Sequence, residues 1–549
     1  MLLASCSTTL PQAPASIATA PDAAFIRGDV AYLASDALEG RESGTRGYVA
    51  ASDYVASRMD AIGLKPGGAS GSWFQPVDLR IKTFGDRTKN VMALSGPNAP
   101  VAPFVRDKDY VVTGMGTDAD GSISGPLVFV GQAFADPRIG RDDFAGVDLR
   151  GKIAVVFSGS PEYIDPEEAA YFNNTRSKRL ADAGAIGVIT IRSPKDTERT
   201  TWEKYLGYFK HYSRATWIDA AGKAEGDYPG YVGSAVLSAE AGDRLLARSG
   251  LTVAALEALA KNPKGRFKPF DMGIDGRIDY DMTFEKVTSS NVVGLIEGTD
   301  PELRGEYVVL TAHLDHVGID DPDESGDAIH NGAMDNAVGV ATMLDVARRL
   351  AVAPPRRSVI FIGLTAEEKG LIGSSYFAQH PTVAKDAIVA NVNLDMPTLT
   401  FAFTDIIAYG AERSTLFPVL ETAMGRAGVT LAKDPHPEEG IFTRSDHYSF
   451  VEQGIPSIYL DTGPGNGGEE AFQAFIKEHY HQPSDEIELI DFTQAARFAA
   501  INYDIARGIA NMIERPVWKK GDFFATVFNG PMADTNSAFA TAHKERVEN

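Results

Sequence analysis

The sequence predicts an α/β fold with a mostly parallel, mixed sheet that is covered by helices on both faces. Apolar strand patterns alternate with amphipathic helical patterns between residues 291 and 512, and this alternation is typical of proteins with a parallel sheet. The strand patterns are almost continuously apolar, as expected where both faces of a sheet are buried. Upstream, an aromatic and irregular stretch from 117 to 280 interrupts the alternation, which predicts an inserted β-rich domain.

Each element of the predicted sheet depends on a local pattern. The run YVVL at 307–310, for example, is short, apolar and rich in β-branched residues, which favours a buried strand. We expect strands at 291–296, 307–312, 358–364, 388–394, 405–409 and 456–460. We expect helices at 336–351, 370–379, 414–427, 446–453 and 492–513.

The length of 549 residues predicts more than one domain. We expect a tether at 1–24, the first part of the main domain at 25–116, the insertion at 117–280, the remainder of the main domain at 281–515 and a tail at 516–549. The apolar content of 44% is ordinary for a globular protein. The sequence has no apolar run of about 18 residues or more, so we expect no membrane-spanning helix.

Charge and cysteine content restrict the possible partners. The formal net charge of −22 disfavours a nucleic-acid partner. The single cysteine, Cys6, excludes disulfides within the chain and a cysteine-based zinc site. The motif Leu3-Ala4-Ser5-Cys6 resembles the lipobox of bacterial lipoproteins, which implies a lipid anchor at Cys6. It also implies an exported protein, either in the periplasm or outer membrane of a Gram-negative bacterium or secreted. Because the residues before Cys6 lack the basic and long apolar regions of a signal peptide, an ordinary unstructured N-terminus is the alternative. The sequence indicates no particular oligomeric state.

Histidines and carboxylates recur just after the predicted strands or in the loops that follow them. The candidates are His313, Asp315, Asp335, Glu367, Glu368, Asp395 and His481. The carboxyl ends of parallel strands meet at one edge of a sheet, where open α/β proteins bind their ligands. Neutral imidazoles and carboxylates are common zinc ligands. The sequence therefore predicts a metal site at this edge.

The donor set suits two zinc ions that share one carboxylate. His313 and Asp395 would hold one ion, Glu368 and His481 would hold the other, and Asp335 would lie between them. Each ion then has about three protein ligands and an open position, as catalytic zinc sites require. Two such ions, about 3.5–4 Å apart, lower the pKa of a shared water and polarise a scissile carbonyl.

One carboxylate remains beside this set. Glu367 adjoins a ligand and is the candidate general base, which would take a proton from water and pass it to the leaving amine. Three other histidines have no matching role, and we expect them not to be ligands: His316, His330 and His479.

Five motifs carry a family resemblance. They are Ala312-His313-Leu314-Asp315, GAMDNA at 332–337, EEKGLIGS at 367–374, Asn393-Leu394-Asp395 and YHQPSD at 480–485. In this order, over about 290–515, they resemble the co-catalytic dizinc exopeptidases, a family that includes bacterial secreted aminopeptidases, glutamate carboxypeptidases and the transferrin receptor. The resemblance implies a zinc-exopeptidase fold (phosphorylase/hydrolase-like), the five ligands above, and two Zn²⁺ ions per chain bridged by Asp335.

The resemblance also assigns roles that spacing alone does not. It implies that Asp315 orients His313 and that the Tyr480 hydroxyl donates a hydrogen bond to the developing oxyanion. It places the Asp335–Asn336 bond at a position that is often cis in relatives.

A further motif, TRSDHYSF at 443–450, lies near the substrate side of the site in relatives. The resemblance makes Arg444, Asp446 and His447 candidate substrate contacts, with Asp446 holding either a loop or the substrate amine.

The insertion resembles the protease-associated domain through GKIAVV at 151–156 and AGAIGVI at 183–189. In relatives this domain roofs the active-site cleft. The segment LEGRESGT at 38–45 resembles the start of the peptidase domains, so we expect one catalytic domain with an insertion.

The resemblance predicts an aminopeptidase that acts on peptides, and alternatives remain. A carboxypeptidase of the glutamate carboxypeptidase type would need cations for a free carboxylate, and Arg444 is the motif-linked candidate. A glutaminyl-cyclase-like acyltransferase is disfavoured by the insertion. A non-catalytic receptor is disfavoured because all five ligands and Glu367 are present.

Overall fold

A computed structural model describes residues 21–115, 118–210, 212–323 and 325–532. Contacts divide the chain into two compact units. Among the described residues, the first contains 21–77, Thr288–Pro435 and 444–532; the second contains Asp78–Val287 and His436–Thr443. Cys6, with its expected lipid anchor, lies outside the described residues.

The first unit contains a mixed sheet of mainly parallel strands, which confirms the predicted fold class. In spatial order its strands are Thr430–Ala432, Asp405–Tyr409, Ser457–Thr462, Ile388–Asn393, Tyr307–His313, Ser358–Leu364 and the end of Phe270–Ile296. Four of the six pairings are parallel; the pairings of Asp405–Tyr409 with Ser457–Thr462 and of Ser358–Leu364 with residues 292–296 are antiparallel. Short strands at Lys65–Pro66, Gly318–Ile319 and Ile329–His330, and the start of Phe74–Phe84, complete this unit.

The helices of this unit bury apolar faces against the sheet and against one another. They are Ala23–Leu33, Arg46–Ile62, Val338–Val352, Ile372–Gln379, Phe417–Ala427, His447–Val451, Gly468–Glu478, Phe492–Ala510 and Phe523–Val527. Val338–Val352 packs against the sheet and against Ala23–Leu33 and Phe492–Ala510, and its residues from Val338 to Ala347 are all buried. Burial of each large apolar side chain contributes about 1.5–3 kcal/mol, which holds this helix firmly behind the site.

The second unit has its own sheet. Part of Phe270–Ile296 pairs with Val91–Ser95 and with Asp120–Phe129. From Asp120–Phe129 the sheet continues through Ile153–Phe157, Gly187–Ile191, Gly233–Leu237 and Tyr110–Gly114. Ser213–Trp217 pairs with residues 79–83. Two-residue strands lie at Ala135–Asp136 and Arg141–Asp142. The helices are Pro166–Asn174, Arg176–Asp182, Pro194–Arg199, Trp202–Gly207, Ala239–Leu246 and Val253–Lys261.

This unit begins at Asp78, upstream of the expected boundary at 117. The reason is strand pairing, because Val91–Ser95 and Tyr110–Gly114 both join its sheet. Its assignment as a protease-associated domain remains a prediction. In the described part of the chain, no helix combines the length and the apolarity needed to cross a bilayer.

Candidate metal centre

The candidate site lies at the carboxyl edge of three neighbouring parallel strands. His313 is the last residue of Tyr307–His313 and pairs with Leu364, while Thr311 pairs with Asn393 on the other side. Because the three strands end at the same level, the residues that follow them converge. The structure brings all five predicted ligands and Glu367 into this place.

The inner cluster consists of His313, Asp335 and Asp395. The Nε2 atom of His313 lies 3.2 Å from Asp335 Oδ1 and 3.0 Å from Asp395 Oδ1. The His313 side chain is only 1% exposed. Burial opposes protonation of His313, but Asp395 and Asp335 outweigh it and raise the pKa of His313 well above its usual value.

The outer cluster consists of Asp335, Glu368, His481 and His316. The Nε2 atom of His481 lies 3.3 Å from Asp335 Oδ2 and 3.1 Å from Glu368 Oε2. His481 is the most open member, with a side chain that is 34% exposed. Against the effect of burial, hydrogen bonds with Asp335 and Glu368 raise the pKa of His481 to about 10.

Asp335 belongs to both clusters and presents a different oxygen to each. Around a tetrahedral zinc ion with bonds of about 2.0–2.1 Å, neighbouring donor atoms lie about 3.3 Å apart. The distances of 3.0–3.3 Å from His313 and His481 to their carboxylate oxygens have this spacing. The residues therefore fit two metal ions that share Asp335.

Several groups hold Asp335 in place. The carboxylate of Asp485 accepts hydrogen bonds from the backbone N–H groups of Met334 at 2.9 Å and Asp335 at 3.0 Å. Gly332 has φ +55°, and a Cβ atom there would lie 2.2 Å from the Asp335 carbonyl oxygen. Glycine is thus required at this position. The Asp335–Asn336 peptide bond is cis, and the Asn336 side chain donates to the Leu394 carbonyl at 3.0 Å.

Asp395 is oriented by a residue that the sequence analysis did not single out. Its Oδ2 atom accepts a hydrogen bond from the Ser445 hydroxyl, and Asn393 donates to that hydroxyl at 2.7 Å. With Oδ2 occupied in this way, Oδ1 is left to face His313. Ser445 falls inside the motif at 443–450, but its hydroxyl carried no charge or spacing signal of its own.

Asp315 contacts the His313 ring, as the resemblance implied, but through its backbone carbonyl. Its carboxylate does not bond the His313 ring; it accepts from the backbone N–H groups of Glu367 at 3.1 Å and Glu368 at 3.4 Å. The Asp315 carbonyl oxygen, 3.1 Å from His313 Nδ1, orients that ring instead. Asp315 thus positions the Glu367–Glu368 turn, and burial raises the pKa of Asp315 to about 6.

Glu367 faces His313 and Glu368, and its carboxylate is close enough to both to form a third group of potential donors. Burial, reinforced by Glu368 and Asp395 and opposed by His313, raises the pKa of Glu367 well above its usual value. The residue before it, Ala366, has φ +55°, as does His481. Left-handed non-glycine residues cost about 1–3 kcal/mol and occur at functional sites.

Tyr480 stacks on His481 with ring centroids 3.9 Å apart. Burial and the surrounding carboxylates raise the pKa of Tyr480. Its hydroxyl therefore keeps its proton at neutral pH and is available as a donor.

His316 was expected not to be a ligand, but the structure places it in the outer group of potential metal donors. Its Nδ1 atom lies 2.7 Å from Glu368 Oε1 and 3.9 Å from Asp335 Oδ2, and the residue is 1% exposed. The distance to Glu368 is that of a hydrogen bond, so a proton on Nδ1 would orient this carboxylate. His330 is a ring neighbour of His316, at 6.5 Å, and His479 contacts Ser484 on the surface.

A buried arginine links the loops of the site. Arg41 is 1% exposed, and its guanidinium donates to the carbonyl oxygens of Leu33, Leu314, Asn331 and Gly332. Asn331 directly precedes the GAMDNA segment, Gly332 is its first residue, and Leu314 follows His313. Burial lowers the pKa of Arg41 to about 10, while nearby site carboxylates oppose the change. Arg41 therefore remains a cation at neutral pH.

The three substrate candidates differ in accessibility. Arg444 is exposed, whereas Asp446 and His447 are both 0% exposed. The role of Arg444, Asp446 and His447 as substrate contacts, with Asp446 holding either a loop or the substrate amine, remains a prediction. The positions of Asp446 and His447 explain their burial, because they begin the helix His447–Val451 beneath the sheet edge, where His447 stacks on Tyr459 at 5.4 Å.

The carboxyl edge of the mostly parallel sheet thus carries two adjoining histidine–carboxylate clusters that could hold metal ions. Residues 291–506 match the model of peptidase family M28.

Two relatives are similar to this chain in sequence, and one solved structure is similar in fold. The chain is 28% identical over 211 residues to aminopeptidase YwaD of Bacillus subtilis (38% of this chain, 42% of the relative). It is 27% identical over 248 residues to a probable zinc metalloprotease of Leptosphaeria maculans (39% and 56%). The chain thus spans about half the length of these relatives. The structure of an aminopeptidase from Aneurinibacillus sp. strain AM-1 shares the fold, with a TM-score of 0.51 and 18% identity over 94% of this chain and 99% of that one.

Proposed function

We propose that this protein is a zinc aminopeptidase that removes N-terminal residues from peptides with two zinc ions bridged by Asp335. The observation that carries the proposal is the division of the Asp335 carboxylate, with Oδ1 facing His313 and Oδ2 facing His481. A carboxylate held between two imidazoles, with Asp395 on one side and Glu368 on the other, suits a pair of divalent cations.

His313, Asp335 and Asp395 would hold one zinc ion, and Asp335, Glu368 and His481 the other. Zinc in these positions supplies a Lewis acid and lowers the pKa of water near the scissile carbonyl. Two buried carboxylates, those of Asp335 and Asp395, and two half-buried ones, those of Glu367 and Glu368, belong to these clusters, and such a concentration of negative charge requires compensating cations.

Glu367 is the proposed general base. Its carboxylate takes a proton from the attacking water and returns it to the leaving amine. The Asp315 carboxylate supports this role by fixing the backbone N–H groups of Glu367 and Glu368.

Tyr480 is the proposed donor to the developing oxyanion. Its hydroxyl remains protonated, and its ring is held against His481. A donor fixed beside the reacting carbonyl stabilises the negative charge that appears during attack.

The aminopeptidase assignment is supported by the names of the relatives, one of which is an aminopeptidase of Bacillus subtilis. The carboxypeptidase alternative depends on a cation for the free carboxylate of the substrate, and exposed Arg444 is its candidate.

Aminoacyl-p-nitroanilides and N-blocked dipeptides with a free carboxyl group distinguish the two activities on protein whose zinc content has been measured. We expect hydrolysis of the aminoacyl substrates, abolished by a chelator and restored by zinc. Activity confined to the blocked dipeptides would refute the aminopeptidase assignment.

A further inference from the structure

An exopeptidase that acts at the N-terminus must place a cation close to its metals. The α-ammonium nitrogen of a peptide lies only about 2.5 Å from the first carbonyl carbon, because two single bonds separate them. A buried ammonium requires an anionic partner. Among the described residues, this partner should be a carboxylate at the sheet edge with an oxygen that is not already bonded to another group.

Most carboxylates at this edge are already engaged. The occupied ones are Asp335, Glu368 and Asp395 in the clusters, Glu367 as the base, Asp315 and Asp485 on backbone N–H groups, and Asp446 in full burial. The carboxylate of Asp461 belongs to none of the three groups of potential metal donors among the described residues.

Asp461 lies next to the inner cluster. It is the penultimate residue of Ser457–Thr462, the strand that runs parallel to Ile388–Asn393 with Asn393 opposite Tyr459. Asp395 and Asp461 are each two residues beyond this pair, so they lie at the same edge of the sheet. Burial raises the pKa of Asp461 to about 7, and the charge of nearby Asp395 contributes to this increase.

The two oxygens of Asp461 have different surroundings. Oδ1 accepts hydrogen bonds from the backbone N–H groups of Thr462 at 2.6 Å and Thr398 at 3.4 Å. Oδ2 has no hydrogen-bond partner in the part of the chain that the structure describes, although the residue is only 7% exposed. The side chain is therefore fixed through one oxygen and leaves the other for a ligand.

We propose that Asp461 binds the α-ammonium group of the substrate and thereby selects peptides with a free N-terminus. This inference rests on the proposed aminopeptidase function. The group would enter next to Asp395, with Oδ2 of Asp461 as acceptor. Asp446, for which the resemblance implied a contact with the substrate amine or with a loop, is 0% exposed, whereas Asp461 is 7% exposed.

The substitution Asp461→Asn tests this role, because an amide keeps an oxygen for Thr398 and Thr462 while it removes the charge. We compare leucine p-nitroanilide with the analogue in which a hydroxyl replaces the amine. For leucine p-nitroanilide we expect KM to rise by about 10- to 100-fold, the range of a charge-assisted hydrogen bond, with kcat within a few-fold of wild type. KM for the hydroxyl analogue should not change.

Calorimetry supplies a readout that does not depend on turnover. Leucine should bind the zinc-loaded Asp461→Asn protein more weakly by a similar factor, whereas 2-hydroxy-4-methylpentanoate should bind both proteins equally. Asp405→Asn is the matched control, since both Asp405 oxygens accept from the Gly465 backbone N–H and neither is left for a ligand.

Unchanged KM and unchanged leucine affinity in Asp461→Asn would overturn the inference. Equal losses for both substrates together with a lower thermal midpoint would also overturn it, because they would indicate only a structural clamp on Thr398. If wild-type protein cleaves neither substrate, the proposed function fails, and the leucine titration still decides whether Asp461 binds an ammonium group.

Discussion

The inner and outer clusters share Asp335 but are built in different ways. The inner cluster takes His313 from the end of a central strand and Asp395 from just beyond its neighbour, and its histidine is 1% exposed. The outer cluster takes His481 from a loop after the helix Gly468–Glu478, and that histidine is 34% exposed. The difference indicates that the inner site is fixed by the sheet, whereas the outer site depends on hydrogen bonds from flanking residues.

The largest expected effect comes from replacing Glu367, the proposed general base. Glu367→Gln should lower kcat by about 10²- to 10⁴-fold, the usual contribution of a general base. Zinc content should stay at the wild-type value, because Glu367 lies beside the ligands and is not assigned as one. Glu297→Gln, at an exposed ion pair with Lys65, is the control. Loss of zinc in Glu367→Gln would mean that Glu367 and Glu368 have exchanged roles.

Removing one histidine from each cluster tests the comparison itself. His313→Ala should lower both zinc occupancy and the thermal midpoint, because it leaves buried carboxylates without a partner and costs about 3–5 kcal/mol. His481→Ala should release zinc from the outer site and change the midpoint little, since its side chain is partly solvated. Metal analysis and thermal unfolding measure both. Equal destabilisation by the two substitutions would show that the clusters do not differ as described.

Arg41 connects the loops of both clusters, so its replacement should affect them together. Arg41→Met leaves four buried carbonyl groups without a donor and should lower the free energy of unfolding by about 2–4 kcal/mol. Denaturant unfolding measures this loss, and zinc titration should give weaker binding at both sites. Arg46→Met, which removes an exposed ion pair with Glu39, should change stability by less than about 1 kcal/mol. A loss of zinc from only one site would contradict the shared role of Arg41.

The smallest effect is expected from His316. His316→Phe removes the hydrogen bond to Glu368 Oε1 and keeps the ring volume, so affinity for the outer zinc should fall by about 10- to 100-fold, as for other groups that orient a metal ligand. Affinity for the inner zinc should not change. Two-site zinc titration with a competing chelator measures both constants. His479→Phe, on the surface, is the control. Weaker zinc binding at the inner site of His316→Phe would contradict the assignment of His316 to the outer site alone.

Residues with a strong local signal were predicted correctly from the sequence. The strands at 358–364 and 405–409 have the predicted bounds, because continuous apolar runs bounded by polar loops leave little choice. The five proposed ligands come together because parallel strands bring their carboxyl ends to one edge. The helix Gly468–Glu478 was missed, since it begins directly after the glycine-rich stretch GPGNGG at 463–468.

Other features depended on contacts that no local pattern reveals. Arg41 binds carbonyl groups about 270–290 positions away along the chain, and carbonyls have no sequence signature. The position of His316 depends on loop geometry, and that of Asp461 depends on strand register. Asp315 was predicted to orient His313, but the sequence did not reveal that its carbonyl makes this contact while its carboxylate accepts from the Glu367 and Glu368 backbone.

The central claim is that Asp335 bridges two zinc ions with different oxygens. Anomalous diffraction at the zinc edge, on crystals of the zinc-loaded protein, tests it most directly. We expect two peaks about 3.5–4 Å apart, one beside His313 and Asp395 and the other beside Glu368 and His481, with Asp335 between them. A single peak, or two peaks of which only one contacts Asp335, would contradict this account.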